Sequence, residues 1–387
     1  MRVLALLVSV AAALAQEAPP LVVLLGGDRA PWQAAVAERG WRLAPPLAGN
    51  TAPLWTDAGA QSVETLVMEA RKQAPADPGG AFLIGIGDGA TAAFFLASRL
   101  PDLWRGVLAI EGTPKPAIES NRFFAGNPRL VPIRWVMRPE SQKNLEPFGQ
   151  RLRAAGVNIE IVSPAGVTMG QTLDWLAAQQ RDAQPLKVDC ETGSPAFARC
   201  YWVEITRFDP TQRNDALPST RVAPGAGASL ACGPFGFDPS LTGPGVVVGL
   251  LPPGYRGPLK LEDRIVSVAG KPVRDAREYV EMMDQVKEEK PAAVTVLRGS
   301  QRLRVETRVV LPKRGELVTA RVQAEFLVEL HEIQVLSRTV AGVRLRVPAG
   351  WVPVSVSWNG LDAGKIERGG CWDLADEQGV RLRPCAQ

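Results

Sequence analysis

Apolar residues in the first half of the chain gather in short runs at 21–25, 81–86, 106–110, 133–137 and 158–162. Each run has the length of one strand and lacks polar alternation, as strands buried on both faces do. Between them, apolar positions recur at helical spacing over 31–39, 60–72, 90–100, 145–155 and 168–180. This predicts an α/β domain at 16–185, with a mostly parallel sheet covered by helices on both faces. The pattern then becomes mostly β. Residues 190–200 read as a bridged loop, 201–208 alternate like a half-buried strand, 209–221 are polar and loop-like, and a helix at 275–286 precedes strands at 293–298 and 302–310. Over 321–330 the apolar side falls on Val322, Ala324, Phe326, Val328 and Leu330, then moves to Ile333 and Val335. That change of parity predicts a bulge or turn near His331.

Length and composition divide the chain without naming its chemistry. The 387 residues allow several domains, and the expected divisions are a linking segment at 186–216, a module at 217–313 and a β domain at 314–387. With 46% hydrophobic and 22% charged residues the chain is globular, and a formal charge of +4 without a basic block gives no reason to expect a nucleic-acid partner. Met1-Arg2, the apolar run 3–14 and Ala13-Leu14-Ala15 read as a signal peptide over 1–15, hence a secreted or periplasmic protein with no membrane span. Of five cysteines, Cys190 with Cys200 and Cys371 with Cys385 are the expected bridges, leaving Cys232 free. No C-x-x-C pair suggests a metal, and no cofactor is expected.

The candidate chemistry lies where the run at 81–86 meets the helix at 90–100. Gly85-Ile86-Gly87-Asp88-Gly89 is the G-x-Nu-x-G frame of a nucleophile elbow, with glycine at the nucleophile position. The next stretch, Pro101-Asp102-Leu103-Trp104 and a strand running to Gly112, completes a pattern that resembles secreted esterases of the dienelactone hydrolase and polyhydroxybutyrate depolymerase type. The resemblance covers most of 80–182. It implies an α/β-hydrolase-like fold, with an acid after the strand at 133–137 and a histidine after the one at 158–162. The chain has Arg138-Pro139-Glu140 and Pro164-Ala165-Gly166-Val167-Thr168 at those places, and its single histidine is His331. Nucleophile and base are therefore both missing from the triad pattern, and each needs the other. Two alternatives stay open: Asp88 as a carboxylate nucleophile, against its plainer reading as a turn aspartate capping the next helix, and Gly85-x-Gly87-x-x-Ala90 with Glu111 as a dinucleotide fingerprint.

Within 217–313, the run from Gly257 through Asp263-Arg264-Ile265 and Gly270 to Val273 resembles PDZ domains. The resemblance implies that Pro234-Phe235-Gly236-Phe237 is the loop whose amides hold a peptide carboxylate, and that Tyr279 and Met283 share the groove-lining face of the following helix. The alternative is that these aromatics are core residues. The expected function is a secreted binding or scaffold protein with an inactive hydrolase-like domain and a module for a peptide or protein C-terminus. The competing expectation is an esterase or peptidase with a non-standard constellation.

Overall fold

The computed structural model describes residues 18–386 apart from 48–52, 74–78, 120, 166, 223–227, 233–236, 240, 250, 252–253, 312–317 and 378. The expected signal peptide and the loop residues Phe235 and Gly236 lie outside the described residues; Phe237 lies within them.

The first unit has strands β1 (Leu21–Leu25), β2 (Arg42–Leu43), β3 (Ala81–Ile86), β4 (Trp104–Ile110), β5 (Ile133–Val136) and β6 (Ile159–Val162). They form one parallel sheet in the order β2-β1-β3-β4-β5-β6. Between them run α1 (Arg29–Glu38), α2 (Asp57–Gln73), α3 (Asp88–Arg99), α4 (Lys115–Glu119) and α5 (Pro139–Ala154), with α6 (Met169–Ala177) following β6. Alternate strand residues face opposite ways and so feed two cores. Val22, Phe82, Ile84 and Leu108 pack with α1 and α6 through Trp32, Val36, Leu173 and Leu176. Leu21, Val23, Leu83 and Val107 pack with α2, α3 and α5 through Val63, Val67, Phe94, Phe95, Leu145 and Phe148. The parallel sheet with helices on both faces is thus present. Helix α5 starts well before the apolar spacing at 145, because Pro139 suits a first helical turn and that turn is polar.

The remaining strands form three antiparallel or mixed sheets. Two five-stranded sheets share one core. In the first, Leu361–Ile366, Val354–Trp358, Glu332–Arg338, Ala320–Leu327 and Lys187–Thr192 lie side by side. In the second the order is Val380–Pro384, Gly370–Asp376, Val340–Val347, Val203–Phe208 and Arg199–Cys200. Trp202 and Trp351 meet edge to face between them, with ring centroids 5.2 Å apart. The third sheet contains Ser229–Leu230, Val246–Val247, Arg264–Val268, Lys290–Arg298 and Gln301–Val310, and is packed by α7 (Ala276–Asp284).

Two sequence expectations need correction. Residues from Cys190 read as loop, yet Lys187–Thr192 is a strand paired with 320–325. Its acidic residues hid it, and both are buried with partners. The Asp189 carboxylate accepts from Arg321 Nε and Nη2 at 2.8 and 2.5 Å. The alternation over 321–330 ends at Leu327, so Val328 and Leu330 are 51% and 66% exposed rather than core. Val328–Leu330 is a single 3₁₀ turn closed by His331 in the left-handed region (φ 46°, ψ 49°), which sets Phe326 opposite Ile333 and accounts for the parity change.

Glu191 marks where the chain enters and leaves the segment 217–313. Its fully buried carboxylate accepts from Ser219 Oγ (2.5 Å), Thr220 N (2.6 Å) and Thr220 Oγ1 (2.8 Å) before that segment's strands. It also accepts from Thr319 Oγ1 (2.5 Å) just after them and from Arg338 Nη2 (3.2 Å).

Candidate functional site

The turn from β3 to α3 is made by one residue, Gly87, at φ 58° and ψ −119°. Its N–H donates to Ile110 O (2.9 Å), and its carbonyl accepts from Ala90 N and Thr91 N. The neighbouring glycines are required by close approach. A Cβ on Gly85 would lie 2.2 Å from Gly89 O, and one on Gly89 would lie 1.9 Å from Leu25 O at the end of β1. Gly87 differs, for a Cβ there meets nothing within 4 Å. The backbone is therefore that of an elbow whose apex points into space but carries no side chain.

The residues at the other expected triad places have partners of their own. Glu140 lies in the first turn of α5 with its side chain half exposed, 3.7 Å from Arg138 Nε, which also lies 3.8 Å from Glu111. His331 is exposed in the β region, against the Phe326 ring at 6.3 Å between centroids. Asp88 is exposed and occupies the first turn of α3, where Gly87 is the N-cap and no side chain caps the helix. The sequence reading of Asp88 as a capping aspartate is thereby corrected. A carboxylate in this first turn still gains from the helix dipole.

Beside the elbow lies a cavity shared with the third sheet. It measures about 50 Å³ and is lined by Trp55, Asp88, Thr91, Thr113, Lys115 and Pro116 of the first unit and by Phe237, Asp238 and Gly249 of the segment 217–313. That volume takes a few waters, far less than a cofactor or acyl chain occupies. Of the three fingerprint residues, Ala90 is buried in the core and Gly85 packs against Gly89 O. Open parallel sheets bind ligands at the carboxyl ends of their strands, and here Phe237, Asp238 and Gly249 of the segment 217–313 lie beside that position.

The segment meets the first unit through charged and aromatic contacts. Lys115, 2% exposed, pairs with Glu119 Oε2 at 2.5 Å along α4 and places Nζ 4.3 Å from the centre of the Phe237 ring. Burial pushes the Glu119 carboxyl above its ordinary range, opposed by Lys115. Lys143 Nζ on α5 reaches Asp275 Oδ2 at 3.2 Å, the residue that caps α7 by accepting from Glu278 N. Behind Phe237 lies Tyr279, with ring centroids 4.9 Å apart. Tyr279 and Met283 are both buried in the core of the third sheet, and the Tyr279 hydroxyl accepts from Leu230 N at 3.4 Å. Sequence reasoning missed these inter-unit contacts because Lys115 and Lys143 look like ordinary surface lysines in their local patterns.

Both expected disulfides are formed. Cys190–Cys200 and Cys371–Cys385 have Cα atoms 5.6 and 5.4 Å apart, and Cys232 is free and buried. Burial pushes the Cys232 thiol up to about 11, so at pH 8 only about one thiol in a thousand is thiolate. We expect iodoacetamide to leave Cys232 unmodified in the folded protein at pH 8 and to alkylate one thiol per chain in denaturant, read by intact mass. Rapid labelling of the folded chain would contradict this burial.

Among the described residues, no three His, Cys, Asp or Glu side chains gather as metal ligands, and no helix is long and apolar enough to cross a membrane. No family model matches the sequence, and none of the curated proteins matches it. Solved structures similar to part of the chain include several esterases. A thermostable esterase has 13% identity and a TM-score of 0.33, covering 43% of this chain and 56% of its own, little more than half its length. The poly(3-hydroxybutyrate) depolymerase LpqC of Bordetella parapertussis has 17% identity and a TM-score of 0.30 over 43% of this chain and 83% of its own. A carboxylesterase of Mesorhizobium loti has 15% identity and a TM-score of 0.30 over 42% of this chain and 90% of its own.

Proposed function

We propose that the chain is a secreted binding protein in which a hydrolase-like unit serves as scaffold and the segment 217–313 is a PDZ-type module for a peptide or protein C-terminus. The observation that carries the first part is the elbow apex. An acyl transfer site needs a nucleophile, a base oriented on it and room for substrate. Gly87 supplies no nucleophile, and the only histidine packs on Phe326. The peptide-binding part is supported by the PDZ-like run of residues and by α7 packing on the third sheet. In PDZ recognition a peptide adds as a strand beside such a helix and its carboxylate meets loop amides. Secretion is supported by the apolar leader and the two disulfides.

A second reading, an esterase or peptidase with a non-standard constellation, draws on the retained elbow backbone and on Asp88, exposed one residue beyond the apex. The readings separate in one experiment on the mature chain: turnover of short p-nitrophenyl esters beside selection from a library of free C-terminal peptides. Binding without turnover, lost in the Phe235→Ala, Phe237→Ala double variant, supports the proposal. Ester turnover abolished by Asp88→Ala would establish the enzyme reading in its place.

A further inference from the structure

The strand Val340–Val347 carries Arg344 and Arg346 two residues apart, with Leu345 between them in the core. The two arginines therefore stand on the outer face of their sheet. Across from them lie Asp373 and Cys371 on the neighbouring strand. The turn between Leu361–Ile366 and Gly370–Asp376 adds Arg368, and the three guanidinium groups border a cleft of about 410 Å³. Trp372, Pro384 and the Cys371–Cys385 bridge provide its apolar wall. The volume is that of a small-molecule site, about eight times the cavity beside the elbow.

The walls are braced rather than loose. Arg344 Nε donates to Asp373 Oδ1 at 2.8 Å, and Arg346 Nη2 reaches Glu204 Oε2 at 3.0 Å. Trp372 Nε1 donates to Arg368 O at 3.2 Å and so holds the turn. Cys385 N donates to Cys371 O at 3.0 Å, which with the disulfide fixes the far edge. The charges do not cancel. Glu204 and Asp373 face Arg344 and Arg346, while Glu367 is turned to Lys365 at 3.2 Å, and among the described residues no carboxylate pairs with Arg368. Among the described residues the cleft thus keeps one guanidinium in excess, beside an Arg346 that is itself about half exposed.

We infer that this cleft binds a small molecule bearing oxyanion groups, carboxylate or phosphate, with Arg368 and the open edge of Arg346 as its anchors. A guanidinium offers a planar fork of donors that matches either oxyanion in two-point contact, which an ammonium does not. The apolar wall of Trp372 and Pro384 suits the carbon skeleton of such a ligand. This site is independent of the peptide-binding proposal, for none of its residues belongs to the segment 217–313.

The test is calorimetric titration of the mature chain with citrate and, separately, with pyrophosphate, using glucose as the neutral control. Binding of either acid, weakened about tenfold or more by Arg368→Ala with Arg346→Ala and weakened by raising salt from about 50 to about 300 mM, supports the inference. Citrate alone assigns a carboxylate ligand, pyrophosphate alone a phosphate ligand, and both confirm the shared chemistry. Circular dichroism checks that the double variant is folded. In addition, Arg368→Lys should lose most of the affinity. Full retention by the lysine variant, equal binding by the double variant or no binding by the parent chain would each overturn the assignment.

Discussion

Gly89→Ala should destabilise the first unit by about 4 kcal/mol or more, read as a fall in the urea midpoint. The added Cβ would sit 1.9 Å from Leu25 O and 2.4 Å from its carbon, and both are backbone atoms of a buried strand that cannot swing aside. Relief would require moving α3 away from β1, which opens the core around Phe94 and Phe95. The informative contrast is Gly87→Ser. A Cβ at Gly87 meets no atom within 4 Å, so the cost is only the backbone strain of φ 58°, about 1–3 kcal/mol. The serine variant should fold, and under the proposed function it should still hydrolyse no ester, because the single histidine packs on Phe326. The glycines on either side of the apex therefore answer to packing, and the apex glycine does not. Equal destabilisation by both substitutions would contradict this distinction.

Glu191→Ala should cost about 3–5 kcal/mol and loosen the attachment of the segment 217–313. Its carboxylate is the shared acceptor for Ser219 and Thr220 on the entering strand of chain, for Thr319 on the leaving one and for Arg338. Removing it leaves the Arg338 guanidinium, 19% exposed, without its carboxylate, and frees both chain crossings together. Hydrogen exchange at the Thr220 amide and proteolysis near residues 219 and 319 should accelerate along with the loss of stability. Thr220→Val, which removes one side-chain partner of the carboxylate and the acceptor of Gly126 N, should cost less, about 1–3 kcal/mol. A Glu191→Ala chain as resistant to protease at those positions as the parent would contradict the clamp.

The parts of the fold that could be read from the sequence are those in which local pattern and tertiary setting agree. Strands β1 and β3 occupy the apolar runs at 21–25 and 81–86 because strands buried on both faces need no polar alternation. The strand Lys187–Thr192 was hidden because Asp189 and Glu191 occupy buried positions that only distant partners, Arg321 and Arg338, make tolerable. Val328 and Leu330 misled in the opposite sense, continuing a period-two pattern past the point where the backbone turns. At the candidate site, the frame of the elbow was legible from glycine spacing. The contact with the segment 217–313 was not, since Lys115 on Phe237 and Lys143 on Asp275 join residues far apart in the chain. Their pairing follows from how the units dock, which no local period encodes.

The central claim is that the chain recognises a terminus and transforms nothing. Its most direct test compares one selected peptide as the free acid and as the C-terminal amide, by fluorescence anisotropy with the mature protein. Recognition through a carboxylate-holding loop predicts that the amide binds at least about tenfold more weakly, because a charge-assisted contact is lost. Equal affinity for the acid and the amide would contradict the account.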